Sequence, residues 1–85
     1  MAWTVIFTAK AERDLGKISD DTAKRIILKI EEIAQDDPYQ KLDKMTNSPY
    51  YKLRVGVYRG IINIVNDKMI LQLVKVKHQS NVYKK

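Results

Sequence analysis

The 85-residue sequence has no cysteine, which excludes disulfides, thiolate metal sites and thiol catalysis. Its single histidine, His78, cannot supply a paired-His metal spacing. Glycine occurs only at 16, 56 and 60, so there is no glycine-rich phosphate loop. Ser48 and Ser80 stand outside any triad pattern. Asp36-Asp37 reads as a charged helix end rather than a metal pair. No apolar run approaches the roughly 20 residues of a membrane span, and MAWTVIFTAKAERD has neither the basic leader nor the cleavage pattern of a signal peptide. These absences predict a soluble cytoplasmic protein with no metal, no cofactor and no membrane association.

Acidic residues are scarce in one half only. Residues 1–43 carry 7 basic and 9 acidic groups; residues 44–85 carry 9 basic groups and one acid, Asp67, within a net charge of +6. A polycationic half points to an anionic partner, either nucleic acid or an acidic protein. The plain alternative is a solvated basic surface. The length suits one compact domain, in which about 60–65% of the unfolded chain's surface is buried, so the core is modest.

WTVIF (3–7) is short and rich in β-branched and aromatic residues, which predicts a strand. Thr8 has the character of an N-cap for a short helix through AKAERDLGKI, weakened by Gly16. Ser19-Asp20-Asp21 opens a longer helix whose Ala23, Ile26, Ile27, Ile30, Ile33 and Ala34 form one stripe. Asp37-Pro38 ends it, and residues 38–49 form a polar connector bounded by prolines. Strand-like runs follow at 50–55, 57–65 and 69–76, with the second hairpin turning at Asn66-Asp67-Lys68. The expected fold is α+β, β-α-α-β-β-β, a mostly antiparallel sheet with two N-terminal helices on one face. One domain covers 1–85: a strand plus helical hairpin (1–37), a three-stranded meander (50–77) and a tail (78–85) without periodicity.

The most informative stretch is YYKLRVGVYRG, residues 50–60. A two-residue turn at Gly56-Val57, with glycine first as a type II′ turn requires, sets Val55 opposite Tyr58 and Arg54 opposite Arg59. Strand alternation then adds Lys52 to the arginine face and turns Tyr51, Leu53, Val55, Tyr58, Ile62 and Ile64 toward the helices. Like charges directly opposite one another are unfavourable, and folding does not require them, so the cluster reads as a phosphate site. The competing reading is a pair of long side chains splayed into water. Lys75 and Lys77 join this face if the 66–68 loop has three residues and face the core if it has two, since a one-residue slip inverts a strand. His78, like Tyr83 near the terminus, is by itself an ordinary residue.

These residues resemble the RelE branch of the RelE/ParE toxin superfamily, including its archaeal RelE-like members, over essentially the full length. The family hairpin, Tyr-x-Leu-Arg-x-Gly-x-Tyr-Arg, reads YKLRVGVYR at Tyr51–Arg59, and its His-Arg-x-x-Val-Tyr ending reads HQSNVY at His78–Tyr83. The resemblance implies a metal-independent mRNA interferase, the toxin of a type II toxin–antitoxin pair, which cuts mRNA in the ribosomal A site with the RNA's own 2′-hydroxyl as nucleophile. It assigns catalytic roles to Lys52, Arg54, Arg59 and Tyr83, the tyrosine stacking on a base and acting in proton transfer. Lys77 falls where some members carry a basic residue and His78-Gln79 at the family's His-Arg pair; with Lys75, brought in by one of the two registers open to its strand, they make up the expected RNA-binding positions. Two departures stand out: Gln79 replaces the arginine of the His-Arg pair, and Tyr50 stands where some members have a lysine. The resemblance also implies an acidic RelB-like antitoxin wrapping the basic face, ribosome and mRNA as targets, and operator DNA reached only through the antitoxin complex. Two other functions share these features: a ParE-like, non-enzymatic inhibitor of DNA gyrase, and a non-catalytic basic RNA-binding module.

Overall fold

The computed structural model describes residues 2–79. Strand β1 spans Thr4–Phe7 and helix α1 spans Ala9–Gly16, with Thr8 between them. The extended backbone of Thr8 lets its Oγ1 accept from the Ala11 N–H, the role of an N-cap. Beyond Gly16 the Lys17 N–H closes on the Asp14 carbonyl and the Ile18 N–H on that of Leu15, so α1 ends before the expected Lys17-Ile18. Ser19 caps helix α2, Asp20–Ala34, by accepting from the Thr22 N–H. The apolar stripe of α2 faces inward as its spacing predicts: Ile26, Ile30, Ile33 and Ala34 are buried, and Ala23 and Ile27 half-buried.

The connector holds two elements that its sequence did not announce. Asp37 accepts from the Tyr39 N–H and Pro38 occupies the first helical position, so the pair that terminates α2 also starts α3, Pro38–Lys41. Tyr39 lies edge-on between Trp3 and Tyr51, with ring centroids 6.1 and 5.8 Å away, and its hydroxyl donates to Asn66 at 2.9 Å. After it comes a two-residue strand, β2, Asp43–Lys44. The expected β-α-α-β-β-β order therefore gains one helix and one strand. Elements of four and two residues are too short to leave a periodic pattern.

The remaining strands are β3 (Tyr51–Val55), β4 (Tyr58–Val65) and β5 (Ile70–His78), with a 3-10 turn at Asn66–Lys68 between the last two. The sheet order is β1-β5-β4-β3-β2, antiparallel throughout except for the parallel β1–β5 pair. One face carries the core. Leu53, Val55, Ile62, Leu71, Leu73 and Val76 meet Ala11, Leu15 and the α2 stripe, with Tyr51, Tyr58 and Ile64 packed around them. Fully burying one such aliphatic side chain stabilises the fold by about 1.5–3 kcal/mol, and this one layer is the fold's main source of stability. Among the described residues no helix lies over the other face of the sheet, and the charged residues of the meander stand there.

Candidate nucleic-acid interface

The first hairpin has the register that its sequence predicts. Val55 pairs with Tyr58 and Arg54 with Arg59, leaving Gly56-Val57 as a two-residue turn. Gly56 has φ +57°, in the left-handed region, whereas Val57 does not, which is the type II′ arrangement. Arg54 is exposed, and Lys52 and Arg59 are half-buried.

The second hairpin resolves the position of Lys75 and Lys77 in an unexpected way. Val65 pairs with Ile70, so the connection is four residues long, the 3-10 turn being completed by Met69 at φ +52°. A connection of even length by itself sends both lysines toward the core. The ladder then shifts: Ile62 pairs with Leu73, but Ile61 pairs with Lys75, so Val74 is the extra residue of a β-bulge. That single residue turns the rest of β5 over and brings Lys77 opposite Arg59. The bulge lies against the start of α1. Thr8 donates its backbone N–H to the Leu73 carbonyl at 3.0 Å and its hydroxyl to the Val74 carbonyl at 2.6 Å. The Val76 N–H donates to Asp14 Oδ2 at 2.9 Å.

Two rows of side chains cross the open face as a result. Arg54, Arg59 and Lys77 align over β3, β4 and β5. Beside them run Asp43, Lys52, Ile61 and Lys75 over β2 to β5. Arg59 is at the centre, with a cation on either side. Its Nε is buried and, among the described residues, has no hydrogen-bond partner. Ile61 is only 2% exposed although it belongs to this face and not to the helix-side cluster. The apolar stems of its long neighbours are what can cover it, which keeps their charged ends outward. Among the described residues, the ion pairs Lys10–Asp14, Lys29–Glu32 and Lys41–Asp36 all lie in the helical half, and none takes a cation from these rows.

The other residues singled out in the sequence lie elsewhere. His78 pairs with Tyr58, its ring edge-on at 5.1 Å, on the helix-side alternation and not in the cation rows. Gln79 donates its backbone N–H to the Val57 carbonyl, tying the end of β5 to the hairpin turn. Tyr83 lies outside the described residues. Tyr50 precedes β3 and is half-buried. Sequence reading passed over Asp14 and Ile61. Asp14 is the one buried charged residue among those described. Burial opposes its ionisation, but the Lys10 ammonium, the Val76 N–H and the charge of Lys17 outweigh this and hold its carboxyl below the usual carboxylate value. Its i,i+4 spacing from Lys10 looks like any surface helix pair and gave no sign of this role.

The sequence and the fold both have known counterparts. The family model for the ParE toxin of type II toxin–antitoxin systems (parDE) matches residues 5–83. The chain belongs to this family, within the RelE/ParE superfamily. No curated protein matches the sequence. Among solved structures, the RelB–RelE antitoxin–toxin complex from Methanococcus jannaschii contains a chain 26% identical, with TM-score 0.71, covering 93% of this chain and 95% of that one. A RelBE toxin–antitoxin complex from Mycobacterium tuberculosis gives 21% identity and TM-score 0.80, covering 92% of each chain. The isolated E. coli RelE toxin gives 15% identity and TM-score 0.77, covering 91% of this chain and 84% of that one. The last two are likenesses of fold. The RelE-type α+β architecture expected from the hairpin motif is therefore the one the family toxin adopts here.

Proposed function

We propose that this family member is a ribosome-dependent endoribonuclease, the toxin of a RelBE-type pair, acting on mRNA in the A site. The observation that carries the reading is the Arg54–Arg59–Lys77 row, with Arg59 at its centre and its buried Nε unpartnered among the described residues. Aligned cations repel one another in the free protein and attract an anion placed between them. In the reaction, the RNA 2′-oxygen forms a bond to the adjacent phosphorus while the bond from phosphorus to the 5′-oxygen breaks. The 2′-hydroxyl proton goes to a base and the departing 5′-oxygen gains a proton, leaving a 2′,3′-cyclic phosphate and a 5′-hydroxyl. Negative charge builds on the phosphoryl oxygens during this step. Arg54 and Arg59 would hold that charge, with Lys52 beside them, and Tyr83 would serve in base stacking and proton transfer. Lys75 and Lys77 would hold neighbouring phosphates, with Gln79 at the same end of the sheet. His78 would contribute through Tyr58 rather than by direct contact. The reaction as written needs no metal or cofactor.

The partner in this reading is an acidic RelB-like antitoxin over the basic face, with operator DNA bound through the complex, in the cytoplasm. The deciding experiment is primer extension on translated mRNA after expression of the chain. Cuts at A-site codons that vanish with Arg59→Ala, together with loss of growth inhibition and retained antitoxin binding, are the expected result. A toxic Arg59→Ala variant would sink the assignment. A second reading, a non-enzymatic gyrase inhibitor, is favoured by the ParE identity of the family model. It predicts inhibition of DNA supercoiling with no mRNA cuts. A non-catalytic RNA-binding module predicts binding without either effect.

A further inference from the structure

Consecutive carbonyls of a regular strand point to opposite sides, yet those of Leu73 and Val74 both reach Thr8, one through its N–H and the other through its hydroxyl. The bond to Leu73 continues the parallel β1–β5 ladder, so it is the Val74 carbonyl, turned to the same side by the bulge, that is left outside the ladder and finds the Thr8 hydroxyl. Two residues on, the Val76 N–H is met by Asp14, itself fixed by Lys10 at 2.8 Å. The bulge is thus satisfied by side chains 62 to 66 positions away in sequence. If the ladder ran on unshifted past Ile62, Arg59 would pair with Val76, and Lys75 would pair with Gly60 on the helix side.

We infer that Thr8 and Asp14 are positioning residues for the cation rows: by holding the Val74 bulge they determine the face on which Lys75 and Lys77 stand. Neither residue touches that face. Their effect on RNA, which rests on the function proposed above, passes entirely through the register of β5.

Capping and clamping can be separated at Thr8. Thr8→Asp retains an oxygen to cap α1 but has no proton to donate to the Val74 carbonyl, whereas Thr8→Ser keeps both functions. Asp14→Asn keeps an acceptor for the Val76 N–H, and Asp14→Ala removes it. Cross-strand nuclear Overhauser effects read the register directly, as Arg59–Lys77 or Arg59–Val76 contacts, and titration with a short oligouridine at several salt concentrations reads the phosphate contacts. Thr8→Ser and Asp14→Asn should keep the Arg59–Lys77 contacts. Thr8→Asp combined with Asp14→Ala should lose them, and the slope of log affinity against log salt should fall by about 1.4, the equivalent of two single-strand phosphate contacts. If the double variant does not fold, Thr8→Asp alone makes the same comparison with Asp14 in place. Arg59–Lys77 contacts that survive in the folded clamp variants overturn the inference. A changed register with an unchanged salt slope upholds the clamp and overturns the RNA role of the two lysines.

Discussion

Along β4, Tyr58, Gly60, Ile62 and Ile64 face the helices, while Arg59, Ile61, Asn63 and Val65 face away. The inward set is filled to contact: Ile62 is wholly buried, and a Cβ on Gly60 would approach Leu73 Cδ1 to 3.2 Å. The outward set mixes a central arginine, a covered isoleucine and, farther along, Asn63 hydrogen-bonded to Gln72. Packing explains every inward choice. It explains none of the charges on the other side, where Arg54, Arg59 and Lys77 are set in line. A domain of this size can afford one unfavourable row only because the opposite face supplies the stability, and under the proposed function that open face is the working surface.

Substitutions on each face should break this contrast in opposite ways. Leu73→Ala empties a fully buried site and should cost about 3 kcal/mol in urea unfolding. Asp14→Ala leaves the Val76 N–H without its partner and should cost about 2 kcal/mol. The acid limb of stability sharpens the same point. Because the Asp14 carboxyl is held below its ordinary value, its contribution is complete above the unfolded pKa of about 4 and is lost as the pH falls through the lower folded value. The stability gap between the native chain and Asp14→Asn should therefore narrow in acid. Gly56→Ala forces a side chain onto a left-handed φ and should cost about 1 kcal/mol, seen as a lower thermal midpoint. Arg54→Ala, on the open face, should change stability by less than about 0.5 kcal/mol and lower the RNA salt slope by about 0.7. If Arg54→Ala destabilised the fold as much as Leu73→Ala, the division between the two faces would fail.

Much of this arrangement is legible in local sequence. Gly56 declares the first hairpin, alternation places Arg54 and Lys52, and hydroxyl caps with a three-and-four stripe declare α1 and α2. What stays hidden depends on residues far apart. The face of Lys75 and Lys77 follows from a bulge at Val74 whose partners, Thr8 and Asp14, lie in another part of the chain. The extra helix after Asp37 starts on a local cap, but it is one turn long and its Tyr39 packs against Trp3 and Tyr51, a meeting that no window of the sequence contains. His78 reads as one more basic group beside Lys77, but strand alternation separates them onto opposite faces. Strand alternation sets Ile61 on the outward face with the cations, yet it is buried there, outside the helix-side cluster, which alternation alone does not foretell.

Among the described residues, β1 pairs within the sheet only with β5. During synthesis, β1 therefore waits until β5 has left the ribosome before it can enter the sheet, a long-range closure of the kind that slows folding. Lys77 belongs to that same strand, so the cation row is incomplete until β5 has paired with β4. A nascent copy of this protein carries its arginines before the lysine that completes their row, so a chain that has not yet exposed β5 does not present the finished face.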